Sequence, residues 1–479
     1  MSRESKIWNS KLADRIAQLC ISKFNSLGKT GKPKEEEEWA LLSCFVKEEN
    51  QTLEVVALGT GSKCLGENQL SSEGMLVHDS HAEVVARRAL MVYLLEQVEK
   101  AINGDTSIIE TTSSKFKLKS GIHFHFYVSH TPCGDASIFP KQEWEENVGN
   151  AITSTCKQSA ENANANNIHD DLIKEPSIKK IKVDDNHCTV QEISAMGSMC
   201  RSHINIHKES GLQSNVRPDI HRTGAKCIAG ERLDPKLPGD NYHVTGVLRT
   251  KPGRGDPTLS MSCSDKIFRW TVLGVQGGLL MLLLDAPVYI KTITIGHCPY
   301  SHEAMKRAIS DRFVEKIKNV QLPKEFHISL PMLFHSSVDF HFSKNCIARN
   351  DKTLPSPTSL IWSNTNTHCN KHEVATNGIK LGTTKKNLHS SKSMVSICRR
   401  SILIRVHKIL AAWKYYVEDL NCLSYAKLKC KAENYYSAWE TLQKEVLCNW
   451  ACVIMRVGGT IVSGQALRDP RELEQRSPV

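Results

Sequence analysis

A chain of 479 residues, 40% hydrophobic and 24% charged, is long enough to bury a substantial core, and its composition excludes the collagenous, coiled-coil and wholly disordered classes. The formal net charge of +11 favours an anionic partner, and nucleic acid is the commonest one for a basic protein. Seventeen cysteines in so long a chain read as reduced thiols, most of them small core residues, and not as a disulfide framework.

Met1 to Lys6 lack an apolar h-region, so no secretory leader is expected and the protein is expected inside the cell, in nucleus or cytoplasm. Apolar residues at Ile16, Leu19, Cys20, Phe24 and Leu27 have helical spacing, which predicts a helix over Ala13 to Leu27. Leu53 to Leu58 reads as a strand ending in Gly59-Thr60-Gly61, His81 to Gln97 as a helix, and His123 to Ser129 as a strand that delivers Pro132-Cys133-Gly134. This strand, helix, strand order is α/β organisation.

Residues 149–215 turn to Asn, Ser, Lys and Asp with few aromatics, which reads as a disordered insertion. Its Lys179-Lys180-Ile181-Lys182 is either a nuclear import signal or a solvated basic patch in a linker. Order is expected to resume near Val216, with strands over Leu279 to Leu284 and Val288 to Ile295 and a helix over His302 to Val320. The most apolar stretch, Val272 to Ile290, is interrupted by Gln276 and Asp285, so no membrane span is expected. Residues 379–431 carry twelve Lys and Arg against Glu418 and Asp419, interleaved with Trp413, Tyr415, Tyr416 and Tyr425. That composition suits a polyanion as well as a solvated helix face. One domain over 1–450 is expected, followed by a tail, 451–479, without fold signal.

The chemistry lies in three short stretches. His81-Ala82-Glu83 opens a predicted helix, and Pro132-Cys133-Gly134 ends a predicted strand; together they resemble the paired signature of the zinc nucleobase deaminases. A catalytic zinc takes three protein ligands and leaves its fourth position to water, which it acidifies to near neutral pH. A carboxylate two residues from the imidazole reaches that water without ligating the metal, which suits Glu83 to proton transfer. The second cysteine of the usual signature would stand at Ala136, so the third ligand must come from elsewhere. Ser262-Cys263-Ser264-Asp265-Lys266 offers Cys263 at a helix start, where backbone N–H groups favour thiolate. Singly, each stretch is commonplace, a chance triplet, a turn or a core cysteine; their order gives them weight.

The stretches His81 to Arg88, Pro132 to Phe139 and Ser262 to Trp270 resemble the adenosine deaminases acting on RNA, and the likeness runs from about Leu53 to Trp450 apart from the insertion. It implies a cytidine-deaminase-like three-layer α/β core, a mixed sheet between helices, with a helical, basic C-terminal extension. It implies zinc held by His81, Cys133 and Cys263, with Glu83 moving protons, and a buried inositol hexakisphosphate. To that ligand the resemblance assigns Arg87, Arg88, Lys266, Arg269, Trp270, Arg399, Tyr425, Lys429 and Tyr435, and to a polar relay between it and the zinc site Asp79, Lys251 and Gln276. A cluster of buried cations would otherwise be intolerable. Ser62 and Lys63 match positions that touch the target nucleotide, or else form an ordinary strand-to-loop turn.

Within the family, Ser137 after Gly-Asp-Ala resembles the tRNA branch, where the messenger RNA editors have Arg. Residues 251–257 do not match the editors' duplex-inserting loop, and no double-stranded RNA-binding module is expected ahead of the core. The implied activity is hydrolytic conversion of adenosine to inosine in tRNA, 3′ of the anticodon of alanine tRNA. There the base is already partly unstacked and flipping costs less. No protein partner is required. The alternatives are an editor of duplex RNA, a non-catalytic RNA-binding relative and a cytidine deaminase. Duplex RNA edited faster than tRNA would mark the first, and loss of Glu83 or of a ligand, all of which are present, would mark the second. The distant third cysteine and the basic C-terminal region weigh against the last.

Overall fold

A computed structural model describes residues 3–141, 219–253, 256–347, 352–366, 371–413 and 424–450, all within one compact unit. The expected insertion at 149–215, its lysine cluster and the tail 451–479 lie outside the described residues.

In chain order the elements that position the site are α1 (Arg3–Ser26), β1 (Leu42–Glu49), β2 (Thr52–Thr60), β3 (Ser62–Cys64), β4 (Asp79–His81), α2 (Ala82–Asn103), β5 (His123–Val128) and α3 (Cys263–Leu273). There follow β6 (Ile290–Ile295), α4 (His302–Ile309), β7 (Met332–His335), β8 (Thr358–Ser363), β9 (Glu373–Thr376), β10 (Ile379–Lys380), α5 (Arg399–Ala412), α6 (Tyr425–Cys430) and α7 (Glu433–Glu445). Eight strands form one mixed sheet in the order β7-β6-β5-β1-β2-β8-β9-β10. The β5, β6 and β7 strands are mutually parallel, whereas β1 runs antiparallel to both β2 and β5.

Side chains alternate across a strand, and this divides the core in two. Phe45 and Phe126 pack with Val85, Ala89 and Leu90 of α2 and Ile267 and Phe268 of α3. Cys44, Val46 and Tyr127 face the other way, onto Ile16, Cys20 and Phe24 of α1. The sheet thus lies between helical layers, as expected. Gly59 lets β2 approach α2 closely, because a Cβ there would stand 2.5 Å from the Ala86 nitrogen. That contact seats the first turn of α2 against the sheet.

Two expected elements differ. Leu279 to Leu284 is a short helix, Gly278–Met281, continued by a turn; a brief apolar run reads alike as buried strand or buried helix, and Gly277 at φ +76° turns the chain into the helical form. The helix predicted over His302 to Val320 is broken at Ser310 (φ −144°, ψ −65°), giving α4, a 3-10 turn over Asp311–Phe313 and a last turn, Val314–Ile317. Among the described residues no helix is long and apolar enough to cross a membrane.

Candidate active site

His81 closes β4 and caps α2 with extended backbone, which places Glu83 in the first turn of that helix. Pro132 to Gly134 follow β5, and a single 3-10 turn, Asp135–Ser137, comes next. Gly134 holds φ +103°, and a Cβ there would lie 2.3 Å from Ser262 Oγ; only glycine lets the two cysteine turns meet this closely. Cys263 is the first residue of α3, whose N-cap Ser262 accepts from the Asp265 N–H.

The three stretches converge. The Cys263 backbone N–H donates to Cys133 Sγ at 3.3 Å, and the Cys263 thiol and the His81 ring both lie close enough to influence the Cys133 thiol. The Cys263 thiol, with Lys251 and His81 nearby, holds the Cys133 thiol well below its ordinary range, whereas burial pushes Cys263 up. Among the described residues no three His, Cys, Asp or Glu side chains are already spread into a metal cage. Glu83 is 2% exposed, and its Oε2 is buried without a hydrogen-bond partner. Burial raises its carboxyl above the usual range, opposed by Lys251.

Behind His81 lies a buried polar chain. His81 Nδ1 is 2.9 Å from Asp79 Oδ1, an arrangement that fixes the ring and leaves Nε2 for a ligand. Burial and Lys251 push the imidazole down, but Asp79 and Cys133 outweigh them and raise it to about 9; a bound cation would displace that proton. Lys251 donates to Asp79 Oδ2 at 2.7 Å, and Lys266 pairs with the same oxygen. Gln276, expected in this relay, is not part of it. Its amide donates to the Leu273 carbonyl at 2.7 Å and accepts from the Val288 N–H at 2.9 Å, because the chain leaving α3 has backbone groups that need partners. Lys266 makes the link instead, touching Asp79 while lining the neighbouring cavity.

That cavity, about 380 Å³, is lined by every residue assigned above to a polyanion: Arg87 and Arg88 of α2, Lys266, Arg269 and Trp270 of α3, Arg399 at the start of α5, Tyr425 and Lys429 of α6, and Tyr435 of α7. Six of these are cations, and the sole carboxylate among the lining residues is Asp79. Arg87 Nε, Arg88 Nη2 and His78 Nδ1 are buried without hydrogen-bond partners. Burial lowers Arg87 to about 10 and pushes Lys429 and Arg399 down as well. Arg269 stacks 3.9 Å over the Trp439 ring.

Ser62 and Lys63 pair with His81 and Ser80 in the β3–β4 hairpin. Both line a second cavity of about 350 Å³ with Gln69, Ser80, Pro252, Asp256 and Asn377. Asp135, Asp265 and Ser264 join the site without having been expected there from sequence. The last donates through its hydroxyl to the Cys133 carbonyl at 2.9 Å; the signal was a shared Cys-x-Asp, at Cys133-Gly134-Asp135 and Cys263-Ser264-Asp265.

Comparison with known proteins agrees with this geometry. Residues 57–453 match the model of the adenosine-deaminase (editase) domain. The chain is 34% identical to the human tRNA-specific adenosine deaminase 1 across 91% of its own length and 97% of that protein. It is 30% identical to the Drosophila melanogaster tRNA-specific adenosine deaminase 1, across 91% and 93%. Similarity to the Drosophila double-stranded RNA-specific editase Adar, also 30% identical, covers 67% of the chain and 38% of that protein. A histidine and two cysteines gathered beside a buried acid therefore sit within a domain match that spans most of the sequence, and the chain belongs to the adenosine-deaminase (editase) family.

Proposed function

We propose that the chain converts adenosine to inosine in tRNA, at the position 3′ of the anticodon of alanine tRNA. The observation that carries the chemistry is Glu83, sealed from solvent with one carboxylate oxygen unpartnered, in a site shared with His81, Cys133 and Cys263. The relatives similar over nine-tenths of the chain, named tRNA-specific, support the substrate.

One imidazole and two thiols form a borderline-soft donor set that suits zinc; the donor chemistry, not a preformed cage, supports the assignment. Bound by His81, Cys133 and Cys263, zinc would supply a water acidified to near neutral pH. Glu83 takes a proton from the water attacking C6 of the adenine and gives it to N1. It then carries a proton to the departing amine, which leaves as ammonia. Its raised affinity for protons, a result of burial, suits a group that must accept and release one in each turnover. Ser62 and Lys63 border the cavity through which the target nucleotide would reach the site. Six cations around one carboxylate, with Arg87 Nε and Arg88 Nη2 lacking partners, support a buried inositol hexakisphosphate in the neighbouring cavity, since multiple phosphates offset charges that burial would otherwise penalise. The three layers and the helices over 399–445 support a cytidine-deaminase-like core with a basic helical extension.

The test is inosine formation in an alanine tRNA transcript by zinc-loaded protein, mapped to the nucleotide, with Glu83→Ala as control. Inosine 3′ of the anticodon that disappears in the variant is expected. Zinc-loaded protein that leaves every tRNA unchanged, or converts duplex RNA faster, would overturn the tRNA reading.

A further inference from the structure

Each of the two cysteines is followed two residues later by a fully buried aspartate, and both aspartates are gripped by arginines from one stretch, residues 302–313. Asp135 Oδ2 accepts from Arg307 Nε at 2.8 Å, and Oδ1 from the Gly246 N–H at 2.6 Å. Arg307 Nη2 also donates to the carbonyls of Asp135 (2.9 Å) and Ile138 (2.8 Å). Asp265 Oδ1 accepts from Arg312 Nη2 at 2.6 Å, while its Oδ2 takes the Ser262 hydroxyl at 2.7 Å and the Arg249 N–H at 3.0 Å. Arg312 Nη1 reaches the Val247 carbonyl at 3.0 Å. Residues 246–249 thus run between the two cysteine turns, bonded to Asp135 at one end and Asp265 at the other. On their other side α4 and its following turn span the same gap.

The turns also touch directly, the Ser264 N–H and hydroxyl both donating to the Cys133 carbonyl at 3.0 and 2.9 Å. With the Cys263 N–H on Cys133 Sγ and the Ala136 N–H on Ser264 Oγ at 3.2 Å, these contacts all lie within a few residues of the cysteines and leave the outer parts of the turns free to tilt. Attaching both to α4 and the turn bonded to its end through the Ser310 N–H on the Lys306 carbonyl and the Phe313 N–H on the Ser310 carbonyl, both at 3.0 Å, limits that freedom, and guanidinium forks do so with direction as well as charge. We propose that Arg307 and Arg312 act as one brace that sets the spacing of the Cys133 and Cys263 thiols, and thereby how tightly the pair holds its metal ion. They are positioning residues, acting through Asp135 and Asp265, and the proposal rests on the zinc reading of the site.

The test uses the full-length protein with Arg307→Ala, Arg312→Ala, the two Lys variants and the double Ala variant. Zinc affinity is measured by chelator competition, and the thiolate-to-metal absorption band after cobalt substitution. Removal of groups that orient metal ligands typically weakens metal affinity about 10–100-fold. Each Ala variant should fall in that range with an altered cobalt band, and the double variant should lose little more than either single one, because releasing one turn already frees the spacing. The Lys variants keep the charge but lack the second arm, so they should lie between wild type and Ala, and they also stand in should an Ala variant fail to fold. Wild-type affinity and an unchanged cobalt band in the variants, whatever their thermal stability, would overturn the brace while leaving the zinc reading intact. Wild-type protein that binds neither zinc nor cobalt would overturn both.

Discussion

Lys251 and Asp79 form an ion pair at 2.7 Å in which the lysine side chain is fully buried and the carboxylate is 7% exposed. The same carboxylate takes His81 Nδ1 and Lys266, so one acid group joins the metal-type site to the cationic cavity. Lys251 and Lys266 hold Asp79 well below the usual carboxylate range despite its burial. Asp79→Asn keeps the shape and removes the charge, which leaves two ammonium groups facing each other with no anion. Breaking a buried pair in this way costs about 3–5 kcal/mol, and the loss of His81 orientation should weaken zinc affinity about 10–100-fold. Lys251→Met should cost less, because Lys266 still pairs with Asp79. Urea unfolding with chelator competition checks the order, and equal losses in the two variants would contradict it.

The cationic cavity makes a prediction whose sign depends on its ligand. Arg87, Arg88 and Lys429 line it, with Arg87 Nε and Arg88 Nη2 lacking partners, so in ligand-free protein each charge there destabilises the fold. Lys429→Met should therefore stabilise the ligand-free protein, since a well-packed apolar side chain replaces a buried cation. With inositol hexakisphosphate bound the same substitution should destabilise, because the ligand stabilises only as far as its affinity and concentration allow. Thermal unfolding of protein stripped and then reloaded reads both signs, and phosphorus released from untreated protein should accompany the larger midpoint. An identical shift with and without ligand would remove the polyanion from the account.

The chemistry was legible because it is written in contiguous motifs. His81 and Glu83 share a helix start, and Cys263 follows an N-cap serine, so local rules place them. That Arg87 and Arg88 share a cavity with Lys429 and Tyr435 follows from family likeness alone, since no local pattern sets α2, α6 and α7 around one space. Gln276 looked like a relay member, yet backbone groups near the end of α3 claim its amide. Leu279 to Leu284 misled because an apolar run has no period to read. Arg307 and Arg312 are silent in sequence because their partners lie 172 and 47 positions away, and a solvated helix face would carry the same residues.

A pH effect should arise away from the active site, at His335 where β7 ends. The ring stacks on Tyr300 at 4.6 Å and 11°. Burial and the neighbouring His297 lower it to about 4, against weaker upward pulls from the Cys298 and Gly296 backbone and Asp14. In the unfolded chain the same imidazole titrates near 6.5. Between those values the unfolded state binds the extra proton, so stability falls as pH drops from about 6.5 towards 4 and is unaffected above that window. The slope is at most about 1.4 kcal/mol per pH unit. His335→Gln removes the titration, so from pH 7 to pH 5 wild type should lose up to about 2 kcal/mol more than the variant. Urea titrations of both proteins at the two pH values measure this directly, and parallel losses would show that the imidazole keeps its ordinary proton affinity in the fold.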